Sequence, residues 1–221
     1  MDEFLEYLQN HFNQSDLSYD EFNISSTFHL RFELGDALEN GSTKRVVQST
    51  YRAKTLFDEF FKADDDAWLI IKSWQYRGDI KEQYSSTDGY LKKQIMNYST
   101  LNVLNREKTI EEFDEALTDD GTMEMTDFTT AHRQEVVCQK VNNITFENIF
   151  RGIANLEMGI APSIGETVYI INRRINVAFH MYDDRGCLIF ADSREILKPI
   201  FEKYNDWLVD YYRNTFNKLF S

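Results

Sequence analysis

The sequence predicts an α+β fold, a single domain over residues 1–221 in which a largely antiparallel twisted sheet is covered by amphipathic helices. Three observations predict it. The chain has 221 residues with 42% apolar side chains, enough for a sizeable core. Apolar residues alternate in some segments, as in half-buried strands, and recur every three or four residues in others, as in helices. Only two prolines and nine glycines are present, so no linker divides the chain.

The first third of the chain predicts two helices and two strands. Phe4, Leu8 and Phe12 have helical spacing, whereas Phe28 and Leu30 begin an alternating apolar run. The next apolar set recurs at three and four, and an uninterrupted apolar run follows it. We therefore expect a helix, a strand, a helix and a strand over residues 2–12, 28–34, 42–61 and 67–74.

The middle of the chain carries weaker patterns. A short helix is predicted over residues 88–96 and a longer one over 109–117. Thr109 followed by Glu112 is a capping-box pattern, and Ile110, Phe113 and Leu117 share one helical face. We expect the segment from Glu107 to Asp127 to form a surface helix and an acidic loop that is mobile.

The last third predicts a return to the sheet. A strand over residues 130–140 and a helix over 146–158 precede three short apolar strands over 167–171, 175–182 and 187–191. The turns between these three strands are too short for a crossover, so a three-stranded antiparallel meander is expected. Pro199 then predicts a helix break or restart, after which Ile200 to Phe216 have the spacing of a long aromatic helix.

The turn from Asp183 to Gly186 has a local explanation. Asp at the first position of a type I turn accepts backbone N–H bonds, and Gly at the fourth can adopt a positive φ and form a bulge. Neither role requires Asp184 or Arg185, which are therefore expected at an exposed corner. These two residues join Arg31, Glu33 and Arg52 in a candidate polar site of guanidinium and carboxylate groups.

Charge distinguishes one segment from the rest of the chain. The formal net charge is −13, and residues 107–127 hold nine acids and one base, a net −8. Such a surface repels phosphate, which argues against nucleic-acid binding and docking to anionic lipid. Two readings remain open: the acids only aid solubility, or Glu111, Glu112, Asp119 and Asp120 attract a basic protein partner.

Other sequence features limit where the protein is located in the cell and which chemistry its cysteines can perform. No segment has the length of a membrane span, and the N-terminus carries acids where a signal peptide carries basic residues, so a cytoplasmic protein is expected. Cys138 and Cys187 lie in apolar runs and predict reduced, structural thiols.

The sequence predicts neither a metal site nor a cofactor. His29, His132 and His180 lack metal-ligand spacing, and each is expected to be packed or on the surface. An EF-hand alignment on Gly121 fails at its first ligand positions. Nucleotide-binding glycine motifs and a hydrolase nucleophile motif are also absent from the sequence.

Four segments together resemble a bacterial family of unknown function, DUF3885. They are His29 to Gly35, Tyr51 to Ala53 with the apolar strand after it, His180 to Gly186, and Glu202 to Leu208. The similarity covers roughly residues 15–220 and weakens in the acidic middle. It implies a bacterial origin and a single domain, and no catalytic residue.

Two functions from different classes are compatible with these features. One is a stoichiometric protein-binding module, of the immunity or antitoxin type or an adaptor, that engages a basic partner. The other is a small-molecule-binding or hydrolytic enzyme whose site contains the candidate polar residues. The absence of a catalytic motif favours binding.

Overall fold

Eight described strands form one antiparallel sheet. The computed structural model describes residues 2–12, 24–77, 83–84, 89–117 and 121–220. The strands are β1 Phe28–Glu33, β2 Asp66–Arg77, β3 Gln83–Tyr84, β4 Leu104–Leu117, β5 Met123–Lys140, β6 Thr167–Asn172, β7 Val177–Met181 and β8 Gly186–Ala191. Their order is β1-β8-β7-β6-β2-β5-β4, with β3 paired to β2. The predicted α+β class and the β6–β7–β8 meander are confirmed.

Six described helices accompany the sheet. They are α1 Asp2–Phe12, α2 Thr43–Phe60, α3 Tyr90–Lys93, α4 Phe146–Glu157, α5 Arg194–Lys203 and α6 Asp210–Phe220. Ser42 caps α2, because its side chain accepts a hydrogen bond from the Arg45 N–H. None of the helices in these ranges has the length and apolar character needed to cross a bilayer.

The two faces of the sheet bury two apolar clusters. The larger cluster joins α2 and α4 to one face, and Phe57 at its centre contacts the rings of Phe146, Phe150 and Phe179. The smaller one places α1 over the other face, where the ring of Phe4 stacks on Trp68 at 5.1 Å. Alternate strand residues therefore reach different cores, as the period of two requires.

The helix predicted over residues 109–117 is wrong. Those residues belong to β4, which pairs with β5 from Leu104↔Val136 to Leu117↔Met123. The capping pattern at Thr109 and Glu112 is a local preference, and the continuous ladder to β5 satisfies the same backbone groups across strands. Helical spacing of three apolar residues did not outweigh that pairing.

The prediction of one long aromatic helix near the end of the chain is also wrong. It is divided into α5 and α6 by a 3₁₀ turn at Asn205–Trp207, and Leu208 then forms an isolated antiparallel bridge with Phe32. Pro199 lies within α5 and does not end it. Buried side chains on both sides of the proline, those of Leu197, Ile200 and Phe201, pack α5 against the core. The interruption positions the chain along the outer side of β1.

Candidate functional site

A charged cleft lies beside β1 at one edge of the sheet. Its volume is about 240 Å³. The lining comes from β1, the loop after it, α2, the β7–β8 turn and the chain before α6, and consists of Arg31, Glu33, Asp36, Arg45, Tyr182, Arg185 and Val209. The cleft thus brings together residues more than 170 positions apart in sequence, from Arg31 to Val209.

The β7–β8 turn forms one wall of the charged cleft. Asp183 Oδ1 accepts the Arg185 backbone N–H at 2.7 Å, as predicted for a turn aspartate. Its other oxygen accepts the Arg185 guanidinium Nε at 2.6 Å. This ion pair raises the pKa of Arg185, mainly through the hydrogen bond to Asp183. The turn consequently matches the positive charge of Arg185 with a buried carboxylate.

Gly186 serves the turn differently from the prediction. It is not among the described residues with a positive φ, so the expected bulge is wrong. A Cβ at this position would collide with the Tyr182 ring and would lie 2.8 Å from the Phe32 carbonyl oxygen. Gly186 therefore permits Tyr182 to pack across the turn and reach the charged cleft.

Asp184 is buried, which corrects its expected place at an exposed corner. It is 2% exposed and forms an ion pair with Arg45 of α2, which is 7% exposed. Ser49 Oγ donates to the Asp184 carbonyl at 2.7 Å. A buried carboxylate is tolerated here because the guanidinium of Arg45 lies where the turn meets α2.

Arg45 is held from several directions at once. Besides Asp184, its Nη1 donates to the backbone carbonyls of Asp36 at 3.1 Å and Leu38 at 2.6 Å. A Cβ on Gly35 would lie 2.5 Å from the Arg45 Cζ, so this position must be glycine for the guanidinium to pass. Through these bonds, Arg45 of α2 connects the loop after β1 with the β7–β8 turn.

Two aromatic rings lie beside Arg31. Its Nε donates to the Tyr182 hydroxyl at 2.9 Å, and its Cζ lies 5.2 Å from the Tyr182 ring centroid and 5.8 Å from that of Tyr212. Burial lowers the pKa of Arg31, but the interactions with both tyrosines raise it more. No carboxylate within the described ranges forms an ion pair with Arg31.

Glu33 and Arg52 complete the surroundings of the charged cleft. Arg52 donates to the Glu33 backbone carbonyl at 3.0 Å and to Asp36 Oδ2 at 3.2 Å, and its guanidinium lies over Trp207 at 4.9 Å. The Glu33 carboxylate forms neither an ion pair nor a hydrogen bond with any residue that the structure describes. Glu33 is half-buried, as is Arg31.

The structure brings most of the predicted polar site together. Arg31, Glu33 and Arg185 line the charged cleft, Arg52 borders it, and Asp184 lies beneath it behind Arg45. Sequence reasoning missed the lining residues Asp36 and Arg45. Arg45 has no local signal, because its partner Asp184 lies 139 residues away.

The opposite edge of the sheet carries an acidic ribbon, which we define as residues 111–117 of β4 and 123–129 of β5. The register runs from Glu111↔Thr129 to Leu117↔Met123. Strand β2 reaches β5 only from Thr129 onward, so among described strands residues 123–128 pair with β4 alone. The predicted Glu111 and Glu112 lie on this ribbon, Glu111 being exposed, whereas Asp119 and Asp120 fall outside the described residues.

Sequence charge is concentrated in this ribbon and its connection. From Glu111 to Thr129 there are eight acids and no base. Strand β4 ends the sheet order, so within the described part of the chain its outer backbone edge has no neighbouring strand. The ribbon is therefore negatively charged and lies at an edge, in contrast to the balanced charges of the cleft.

The histidines pack as side chains of the fold. His180 is buried, its ring stacks on Tyr169 at 4.2 Å, and its Nδ1 lies 2.9 Å from the Val168 carbonyl. Burial lowers the pKa of His180 to about 4. His29 lies against Phe216. No group of three or more metal-ligating side chains occurs among the residues described.

Both cysteines are free thiols, as predicted. Burial raises the pKa of Cys138 to about 11, with the charge of Asp66 adding to the shift. The buried Cys187 has a raised pKa for the same reason of burial. Neither thiol is activated as a nucleophile, since the thiolate form is disfavoured at both positions.

Comparisons with known proteins bear on the whole chain. The model of the family described as Domain of unknown function (DUF3885) matches residues 4–212. An uncharacterised protein, YnaE of Bacillus subtilis (strain 168), is 23% identical over 165 residues, which cover 71% of each chain. No solved structure matches. The relative agrees with the bacterial origin implied by the sequence resemblance.

Proposed function

The chain belongs to the DUF3885 family, and we propose that it acts as a stoichiometric protein-binding module that engages a basic partner through the acidic ribbon. The observation that carries this proposal is the position of the ribbon. The sequence from Glu111 to Thr129 has eight acids and no base, and six of these acids lie on two strands at the edge of the sheet. The fold itself requires no such concentration of charge.

The negative charge of the acidic ribbon and the outer edge of β4 both favour a basic protein partner. Long-range attraction to a basic surface raises the rate of encounter, and salt weakens it. The outer edge of β4, which pairs with none of the described strands, offers backbone groups that a partner could bond once it has docked. A second copy of this chain is disfavoured at this edge, because the two ribbons would repel each other.

The class of partner follows from the same charge. A basic enzyme neutralised by an acidic protein, as in immunity or antitoxin pairs, fits the proposal, and an adaptor with a basic client is the variant of it. We place this interaction in the cytoplasm, as the sequence predicts. Buried aromatic or arginine contacts would then hold the complex after charge has guided its formation.

The experiment measures association with the protein that the wild-type chain captures from its own source cells. Glu111→Gln, Glu112→Gln, Asp119→Asn and Asp120→Asn are combined in one variant. We expect association at low salt to slow by about tenfold or more, with a smaller dependence on salt.

A matched control changes the same amount of charge elsewhere. Glu39, Glu157, Glu195 and Glu202 are exposed and lie outside the ribbon, and all four are changed to Gln. This control should retain wild-type association within about twofold. If both variants slow equally, net charge alone explains the effect; if neither slows, the ribbon has no part in binding.

A second candidate function is supported by the charged cleft. Arg31, Glu33 and Arg185 share a cavity of about 240 Å³, so these three residues of the alternative hypothesis are close enough to bind one small molecule, whereas Asp184 does not line the cavity and is paired with Arg45. The described residues of the lining include no Ser, Thr, Cys or His. A hydrolytic role would therefore depend on Glu33 or Asp36 activating water, and the geometry favours simple binding.

A further inference from the structure

We propose that the charged cleft binds a small zwitterion with a carboxylate and an ammonium group, of which a free amino acid is the simplest kind. This inference rests on the second candidate function above and names its ligand class. It depends on two charged residues of the cleft, Arg31 and Glu33, neither of which forms an ion pair within the described structure.

The other charges around the cleft are matched. Arg45 pairs with Asp184, Arg185 with Asp183, and Arg52 with Asp36. These three arginines and three aspartates therefore cancel. A ligand entering the cleft meets one remaining guanidinium and one remaining carboxylate.

Arg31 and Glu33 are spaced to act on different ends of one ligand. They occupy alternate positions of β1, which places them on the same side of the strand with Cα atoms roughly 7 Å apart. They do not form an ion pair with each other within the described structure. Both are half-buried, so leaving both charges unmatched is less favourable than pairing each with a ligand group.

The chemistry of each residue selects one ligand group. Arg31 donates from Nε to the Tyr182 hydroxyl and also interacts with Tyr212. A carboxylate accepts the remaining guanidinium donors with good geometry. Glu33 is an acceptor that suits an ammonium group. Val209 and the Tyr182 ring supply apolar surface for a short side chain.

Size and net charge exclude larger or purely anionic ligands. The cavity of about 240 Å³ is smaller than the roughly 300–1,000 Å³ typical of sites for drug-sized molecules. Because the residues around the cleft balance in charge, a phosphate or a dicarboxylate would be attracted to Arg31 and repelled by Glu33. A molecule carrying both charges avoids that repulsion.

The test begins with the unmodified protein and a panel of common free L-amino acids. Binding is measured by calorimetry at concentrations up to about 10 mM. The best binder is then compared with its N-acetyl derivative, which lacks the ammonium charge, and its amide, which lacks the carboxylate. We expect each derivative to bind about tenfold more weakly or worse, because each loses one of the two charges.

Variants locate the binding to the cleft. Arg31→Gln and Glu33→Gln should each weaken binding by about tenfold or more, whereas Arg151→Gln, at an exposed position of α4, should leave it unchanged. Arg31→Lys keeps the charge and loses the planar fork, so its loss should be intermediate. Thermal unfolding of each variant confirms that it is folded.

Three outcomes would overturn the inference. Absence of binding by every amino acid contradicts it. Equal binding of either derivative shows that one charge suffices. Binding of inorganic phosphate or acetate in preference to any amino acid identifies an anion site, which retains the second candidate function and rejects the zwitterion.

Discussion

The two edges of the sheet differ in the balance between acidic and basic residues. At the β1 edge, the carboxylates of Asp183 and Asp184 are buried and each meets an arginine. At the β4 edge, six acids lie on β4 and β5 between Glu111 and Thr129, a stretch of sequence that contains no basic residue. The first arrangement stabilises a turn against a helix, while the second concentrates charge of one sign, which we propose a partner engages.

This difference shows why counting acids does not locate a binding surface. Asp184 belongs to the motif that carries the family resemblance, yet its charge is used internally by Arg45. A carboxylate is available to a partner only where the fold has not already paired it. By that criterion the carboxylates of Asp183 and Asp184 are not available to a partner, whereas the acidic ribbon is the surface that we propose a partner engages.

The largest expected effect tests whether Asp184 is structural. Asp184→Asn leaves the Arg45 guanidinium buried without a carboxylate, which should lower the free energy of unfolding by about 3–5 kcal/mol. Urea denaturation measures it. Asp36→Asn removes a partly exposed pair with Arg52 and should cost less than about 1 kcal/mol. Equal losses for both variants would break the comparison.

A second prediction concerns pH and His180 on the same half of the sheet. Its pKa is about 4 in the folded chain, because burial disfavours the charged ring; Val168 and Asp183 oppose that shift and Lys72 adds to it. The unfolded chain binds a proton near pH 6.5, before the folded chain does. Stability is therefore fully present above pH 6.5 and falls as pH is lowered toward 4, by about 3 kcal/mol.

The variant His180→Gln should remove this part of the pH dependence. His11→Gln, at the other end of the chain, should retain it. Asp65, whose pKa is lowered to about 2 mainly by its hydrogen bond with Arg174, titrates below this window. A wild-type stability that does not change between pH 7 and pH 4.5 would contradict the assigned burial of a neutral imidazole.

The smallest expected effect concerns the acidic ribbon itself. Replacing residues 112–128 with Asn-Gly joins the paired Glu111 and Thr129 by a two-residue hairpin turn. The pairing of β2 with β5 is retained. Because an isolated two-stranded ribbon is only marginally stable, thermal and urea unfolding should change by less than about 1 kcal/mol. A large loss would show that the ribbon is part of the core fold.

Local patterns were enough to predict much of this fold. The alternation at Phe28 and Leu30, and the short turns after Asn172 and Tyr182, specify β1 and the meander because neighbours in sequence become neighbours in the sheet. The β4 strand was missed because its structure depends on a partner strand and its sequence also fits helical spacing.

The candidate sites were predictable to a different extent. Arg31, Glu33 and Arg185 could be chosen by residue type within the family-like segments, and they do share a cleft. The Arg45–Asp184 pair could not be chosen, because it links α2 to a turn 139 residues away. Which charges remain unpaired is a property of the tertiary structure, and that property separates Arg31 and Glu33 from their neighbours.

The most direct test of the central claim compares protein capture by the wild-type chain and by the ribbon-deleted chain. Each is incubated with lysate of the source cells, washed at low and high salt, and the bound proteins are identified and quantified. The account predicts one basic protein, retained in equimolar amount by the wild type at low salt, released at high salt, and absent from the ribbon-deleted chain. Equal retention by both chains, or no retained protein on the wild type at low salt, would contradict it.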